Sequence, residues 1–229
     1  MTATASGSPS HLLTMPMDWE AEFYAATDWE RGAYVGGEDM ADHLATFFDR
    51  VGVPDSVGSV GCGPAAAEFA VAEAYPDTEF HCYDIAPSVV AANREKAREE
   101  GLGNVHFAVD SLPDLAVDDE FDLVYCVAVL YFVEDVEDAL RALYDRVAPG
   151  GHLVFTYPNS YLRAWVRDLP EGQKREAFSL VEAGENLLTY DDLEDVLGTR
   201  PRSYWTLVDA RDEEYASRRA PAVFVPKRA

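Results

Sequence analysis

Apolar and polar positions follow two rhythms along this chain, and the rhythm switches repeatedly between residues 55 and 157. Short apolar runs bounded by turn residues predict five strands: Asp55 to Val60; Glu79 to Tyr83, closed by Asp84; Val105 to Val109, closed by Asp110; Phe121 to Val127; and His152 to Tyr157. Helices are predicted between them, from Pro64 to Ala74, from Pro87 to Glu100 with Gly101 and Gly103 as the stop, and from Val136 to Val147. The last carries Val136, Ala139, Leu140, Leu143 and Val147 at helical spacing. Pro64 suits a first helical position, where its missing N–H would be unpaired anyway. Pro149-Gly150-Gly151 reads as a turn into the fifth strand. Strands alternating with helices predict an α/β fold, a doubly wound, mostly parallel sheet with helices on both faces. The fourth strand is apolar enough for its centre.

Two regions stand outside that alternation. Residues 11–53 read as a helical, aromatic cap segment carrying Trp19, Phe23, Tyr24, Trp29, Tyr34, Phe47 and Phe48. Residues 158–189 read as an inserted cap with a basic cluster at Arg163, Arg167, Lys174 and Arg175. The domain proper is expected over 54–229, closing with a helix from Tyr190 to Leu197 and two strands, Ser203 to Val208 and Ala222 to Val225. Residues 1–10 lack a basic start and an apolar stretch, so they read as a disordered tail rather than a signal peptide.

Composition changes this picture only at the margins. At 229 residues, 48% hydrophobic and 12% aromatic, the chain can bury a full core, and no apolar run is long enough for a membrane span. Cys62, Cys82 and Cys126 have no metal-ligand spacing and read as small buried side chains in a reducing cytoplasm, and no metal is expected. The net charge of −24 argues against nucleic-acid partners. Yet only three lysines stand beside fifteen arginines, and the acids are spread over every segment. Such a lysine-poor, uniformly acidic surface resembles proteins of a cytoplasm at molar salt, where charge says little about partners.

The chemistry concentrates where strands end. Val60-Gly61-Cys62-Gly63-Pro64 is a strand followed by a glycine turn and an alanine-rich helix, and the neighbouring strand ends on Asp84. Glycines let a backbone approach a ligand closely, and a strand-end carboxylate can accept hydrogen bonds from ribose hydroxyls, so the pair suits a nucleoside-bearing cofactor. Gly61, Gly63 and Ala66 also meet the dinucleotide fingerprint. Asp84 could instead cap the following helix, Asp110 could be a turn residue before Pro113, and Tyr131 could belong to the core.

Five elements in order — Val60 to Pro64, Asp84, Asp110-Ser111-Leu112-Pro113, Phe121 to Val124 and Ala148 to Phe155 — resemble a class I S-adenosylmethionine-dependent methyltransferase. The resemblance implies a seven-stranded Rossmann-like sheet with its last strand antiparallel, and S-adenosylmethionine as cofactor. Position by position, it implies that Gly61, Cys62 and Gly63 lie under the methionine portion. Asp84 would hold the ribose hydroxyls and Ile85 would pack on the adenine. Asp110 and Ser111 would meet the adenine amino group, and Cys126 and Val127 would floor the methyl donor. Tyr131 would face cofactor or substrate. Two positions depart from the family: Ser59 where an acid is usual, and Ala65 where a third glycine is frequent.

Methyl transfer needs a base only if the acceptor must lose a proton. Tyr131, His43 and Tyr24 are the candidates by location, with Tyr157 beside them. The turn Ala128-Val129-Leu130-Tyr131 lacks the string found in family members that methylate amide or adenine amino nitrogens. The expected acceptor is a small molecule, contacted from residues 11–50 and 158–189. The rivals are a nicotinamide-dependent oxidoreductase, a non-catalytic cofactor-binding protein of the same fold, and an enzyme acting on protein or RNA through the basic cluster.

Overall fold

A computed structural model of the chain describes residues 18–24 and 39–229, the side chains of Glu22 and Phe23 excepted. The expected tail at 1–10, together with Trp29 and Tyr34, lies outside the described residues. Seven strands form one sheet: β1 (Ser56–Val60), β2 (Glu79–Asp84), β3 (Val105–Val109), β4 (Phe121–Cys126), β5 (Val147–Thr156), β6 (Arg202–Ser203) and β7 (Ala222–Pro226). Their spatial order is β3-β2-β1-β4-β5-β7-β6. The first five run parallel, β7 is antiparallel to β5, and β6 is antiparallel to β7. The expected fold class is therefore the observed one. The order reverses between β1 and β4, and in open α/β sheets ligands bind beyond the carboxyl ends of the strands at such a switch point.

Successive residues of a strand face opposite sides, and the two halves of the core divide accordingly. Leu123 and Tyr125 of β4 join one cluster with Phe47 and Phe48 of α1 (Asp39–Val51) and with Phe69 of α2 (Ala66–Ala74). Val124 and Cys126 join the other, with Leu140 and Leu143 of α4 (Val136–Asp145). Between them in sequence lies α3 (Pro87–Glu100), with Pro87 in its first turn and Gly101 left-handed at its end. A third cluster of Tyr131, Leu162, Val166 and Val181 sits outside β4. It joins the one-turn helix Leu130–Phe132 to α5 (Ser160–Arg167) and α7 (Ser179–Ala183), with α6 (Gln173–Ala177) between them. The next helix, α8 (Tyr190–Leu197), opens on a capping box of Thr189 and Asp192.

Three local expectations are corrected. Pro64 does not open α2: Ala65 is left-handed (φ 51°), its N–H donates to Cys62 O at 2.9 Å, and the helix starts one residue later, at Ala66. Pro149 to Gly151 is no turn before β5. The strand already runs from Val147, and a register shift against β4 absorbs the irregularity. Ser203 to Val208 is not one strand, because the Ser203 hydroxyl accepts the Thr206 N–H at 3.2 Å and caps a short helix, α9 (Tyr204–Leu207).

Candidate active site

The glycine loop is stitched to the end of β2. Gly61 N–H and Cys62 N–H both donate to Tyr83 O, at 2.7 and 3.0 Å. Gly61 adopts φ +72°, and a Cβ there would run into the Val129 side chain beyond β4. That position therefore excludes any side chain twice over. Gly63 N–H donates to Asp84 Oδ2 at 2.9 Å, and Gly63 O accepts from Asn93 Nδ2 of α3 at 2.7 Å. The loop is thereby fixed from both ends. Below it, Ser59 Oγ donates to Glu68 Oε1 of α2 at 2.6 Å, with both side chains buried.

Asp84 gathers the site. Its Oδ1 accepts from Ala86 N–H at 3.0 Å while Oδ2 takes Gly63, so it ties the approach to α3 to the glycine loop; α3 itself carries no side-chain cap. The residue is 4% exposed. Burial raises its proton affinity, opposed by the Ala86 and Gly63 N–H groups, and the nearby Glu20 carboxylate raises it further. Ile85 beside it leaves its apolar side chain 37% exposed.

A single helical turn, Trp19–Phe23, crosses this crevice, capped by Asp18 Oδ1 accepting from Ala21 N–H at 3.0 Å. Trp19 packs edge-on against Phe132 with ring centroids 4.7 Å apart. Glu20 Oε2 accepts from Ser88 Oγ at 2.9 Å and Ser88 N–H at 3.3 Å, at the start of α3. The Tyr24 hydroxyl lies 3.4 Å from the point a Gly63 Cβ would occupy, within hydrogen-bonding reach of the Asp84 carboxylate. Burial first, then the negative charge of Asp84, raises the Tyr24 pKa far above its ordinary value.

The other candidates are placed less uniformly. Both Asp110 oxygens accept backbone N–H groups, from Ser111 (2.9 Å), Ala116 (3.0 Å) and Val117 (3.0 Å), so this carboxylate organises its own loop. Cys126 is fully buried, and burial raises its thiol pKa; the half-buried surface beyond β4 belongs to Val127, Ala128 and Val129. Ala128 is left-handed (φ 63°), with its N–H donated to Thr156 Oγ1 at 2.7 Å. Tyr131 is buried, and its hydroxyl has no hydrogen-bond partner among the described residues; burial pushes its pKa up to about 12. Tyr157 is also buried, packed on Phe155 and Tyr190. His43 is not brought to this edge. Its Nε2 is hydrogen-bonded to the Tyr215 hydroxyl at 2.6 Å, and its ring packs on Trp205.

An aromatic wall extends from the crossing turn: Trp19 on Phe132, Phe132 on Phe178 at 5.1 Å, and Phe178 on Trp165 at 6.1 Å. Most of the expected basic cluster is committed elsewhere. Arg163 donates to the Glu182 and Ala183 carbonyls, Arg167 to Glu182 O, and Arg175 pairs with the Glu182 carboxylate. Lys174 instead sits over the Trp165 ring at 5.3 Å, and Arg219 sits over it at 5.4 Å. Neither has an ion-pair partner among the described residues.

Four residues that shape the site carry no sequence signal of their own. Asn93 holds Gly63, Glu20 holds α3, and Glu68 meets Ser59. Asn186 Nδ2 donates to the Leu130, Tyr131 and Val133 carbonyls at 3.0–3.2 Å. Glu68 is one of two carboxylates, with Glu73, on the helix after the glycine turn, so nothing in the sequence singled it out.

Residues 59–153 match the family described as a methyltransferase domain. An uncharacterized protein of Synechococcus sp. is 31% identical over 166 residues, spanning 68% of this chain and 40% of that protein. Trans-aconitate 2-methyltransferase of Streptomyces coelicolor is 27% identical over 142 residues, 59% of this chain and 47% of the enzyme. The chain thus spans half or less of the length of these two relatives. Among solved structures, the N-methyltransferase NodS of Bradyrhizobium japonicum, in complex with S-adenosyl-L-homocysteine, superposes with a TM-score of 0.58. The match covers 90% of this chain and 94% of that one at 15% identity. The [4+2]-cyclase SpnF superposes at 0.54, over 82% of each chain at 17% identity. Residues 59–153 thus match the methyltransferase-domain family, and the chain shares the Rossmann-like fold of solved methyltransferases such as NodS.

Proposed function

We propose that this chain binds S-adenosylmethionine and transfers its methyl group to a small, carboxylate-bearing acceptor. The observation that carries the reading is the meeting of Gly63 and Asp84 at 2.9 Å, at the carboxyl ends of β1 and β2. It sets a glycine loop and a buried carboxylate at one point of the switch crevice, with the exposed face of Ile85 alongside. Gly61, Cys62 and Gly63 would cradle the amino-acid portion, Asp84 the ribose and Ile85 the adenine. Asp110 and Ser111 would flank the base, and Val127 and the Cys126 backbone would lie under the sulfonium. The cofactor supplies an activated methyl group, so the protein's task is alignment rather than proton chemistry. No base is needed for an acceptor that is already a carboxylate. This agrees with a Tyr24 hydroxyl whose proton is held tightly, a Tyr131 hydroxyl that stays protonated, and a His43 that is turned away. Residues 158–189 would form the acceptor cap. The aromatic wall ending in Trp165, with Lys174 and Arg219 on its face, supports an anionic acceptor, as does the name of the Streptomyces relative. The acidic, lysine-poor composition supports work in a cytoplasm at high salt.

Calorimetric titration tests the reading. S-adenosylhomocysteine should bind and NAD should not, and Asp84→Ala should weaken binding about tenfold or more, since a charge-assisted hydrogen bond is worth about 1.5–3 kcal/mol. NAD binding alone would overturn it. A second reading keeps the cofactor without methyl transfer, favoured by the likeness in fold to a cyclase. Release of S-adenosylhomocysteine on incubation with trans-aconitate and other small carboxylates separates the two.

A further inference from the structure

We propose that Tyr24 is a gate residue of the cofactor site: its hydroxyl stands at Asp84 where a ribose hydroxyl would stand, and the turn that carries it must swing out before cofactor enters. The inference rests on the cofactor reading above and adds a competing group from the chain itself.

Three contacts tie the crossing turn down, on opposite sides of the crevice. Trp19 lies on Phe132, beyond β4, with ring centroids 4.7 Å apart. Glu20 is held by Ser88 at the start of α3, beyond β2, at 2.9 Å. Tyr24 comes down between them, its hydroxyl 3.4 Å from the place of a Gly63 Cβ. The consequence is the burial of Asp84, at 4% exposure, beneath a hydroxyl of the chain itself. Each carboxylate oxygen already takes one backbone N–H, from Ala86 and from Gly63. An oxygen has room for one more donor each. A phenol and a vicinal diol therefore compete for the same lone pairs. The closed turn also brings the Glu20 carboxylate towards Asp84, a like charge that raises the Asp84 proton affinity and favours opening. Tyr24 accordingly serves as a mimic of the ligand rather than as a base.

Affinity that must first displace an internal ligand is lowered by the fraction of open molecules. Removing the phenolic oxygen should therefore tighten binding. The test uses the full chain and S-adenosylhomocysteine. By calorimetry, Tyr24→Phe should bind it about three- to tenfold more tightly than the parent, with the melting temperature of the unliganded protein checked for folding. Hydrogen exchange of the amides in residues 19–24 should speed up when the parent protein is saturated with S-adenosylhomocysteine. Weaker or unchanged binding by Tyr24→Phe, or slower exchange on saturation, overturns the gate while leaving the cofactor site intact, because the turn would then close over the ligand. Binding by neither protein removes the cofactor reading and the gate with it.

Discussion

Ala65 is a residue in an uncomfortable backbone state that the fold nevertheless tolerates. A left-handed conformation costs a non-glycine residue about 1–2 kcal/mol. Glycine would remove that cost, yet it would lose about 0.8 kcal/mol of methyl burial and about 0.4–1 kcal/mol through the greater freedom of the unfolded chain. The terms nearly cancel, so the missing third glycine does not by itself weaken the loop. Ser59, the other departure, is answered from the helix: the carboxylate absent from the strand is present at Glu68, hydrogen-bonded to the Ser59 hydroxyl. That carboxyl is buried, and burial raises its pKa, with the Ser59 hydroxyl opposing. A raised folded-state pKa places the associated stability below the ordinary glutamate range and removes it as pH rises. Glu68→Gln should therefore gain stability relative to the parent at about pH 8, and the difference should shrink towards zero change on further acidification near about pH 4. Urea midpoints across that range check it; a difference independent of pH would mean that Glu68 carries no raised pKa.

Between elements, the site is built from pairings of very different visibility. The strand ends were legible: Gly61, Gly63 and Asp84 stand where alternation stops and a turn begins, and they do converge. Short apolar runs bounded by turn residues located β1 to β4 and the carboxyl-terminal half of β5, because β1 and β4 are buried almost throughout and the others supply core residues to the same clusters. What local pattern could not carry is contact between segments far apart in sequence. Glu20 meets Ser88 across 68 positions, and Asn186 meets Leu130 across 56. Likewise the Arg163, Arg167 and Arg175 cluster reads as a patch in the sequence, but it is spent on the end of α7 in the fold. Asn186 is the joint between the inserted helices and the turn bearing Tyr131, since one amide serves three carbonyls. Asn186→Ala leaves those carbonyls without their donor. It should cost about 3 kcal/mol on chemical denaturation, the range for buried polar groups losing a partner. Hydrogen exchange at residues 130–133 should accelerate with it. A loss below about 0.5 kcal/mol, as for an ordinary surface change, would show that α5, α7 and the turn are held together by apolar packing alone.

Considered as one charged body, the chain carries −24 on 229 residues, and its ion pairs do little to offset that. Arg98 with Glu95 and Arg141 with Glu137 and Asp138 are exposed pairs on helix surfaces, the kind whose contribution is small and screened by salt. The dominant long-range term is therefore self-repulsion among unpaired carboxylates, which opposes the compact state. Its range is set by the ionic atmosphere, about 10 Å at 0.1 M and about 3 Å at 1 M. At the lower concentration each carboxylate repels its neighbours across the surface; at the higher one it does not. The apolar clusters on the two faces of the sheet are indifferent to potassium chloride over this range, so the response isolates charge. The melting temperature should rise steeply from low salt to about 1 M potassium chloride and level off as the screening length falls below the spacing of the acids. Neutralising several exposed acids together, for example Asp77, Glu99, Glu100 and Asp119 to the corresponding amides, should raise the low-salt melting temperature and flatten the slope. A parent protein whose melting temperature is the same at 0.05 and 1 M, figures chosen to span roughly a fourfold change in screening length, would show that its carboxylates do not repel one another appreciably in the folded state.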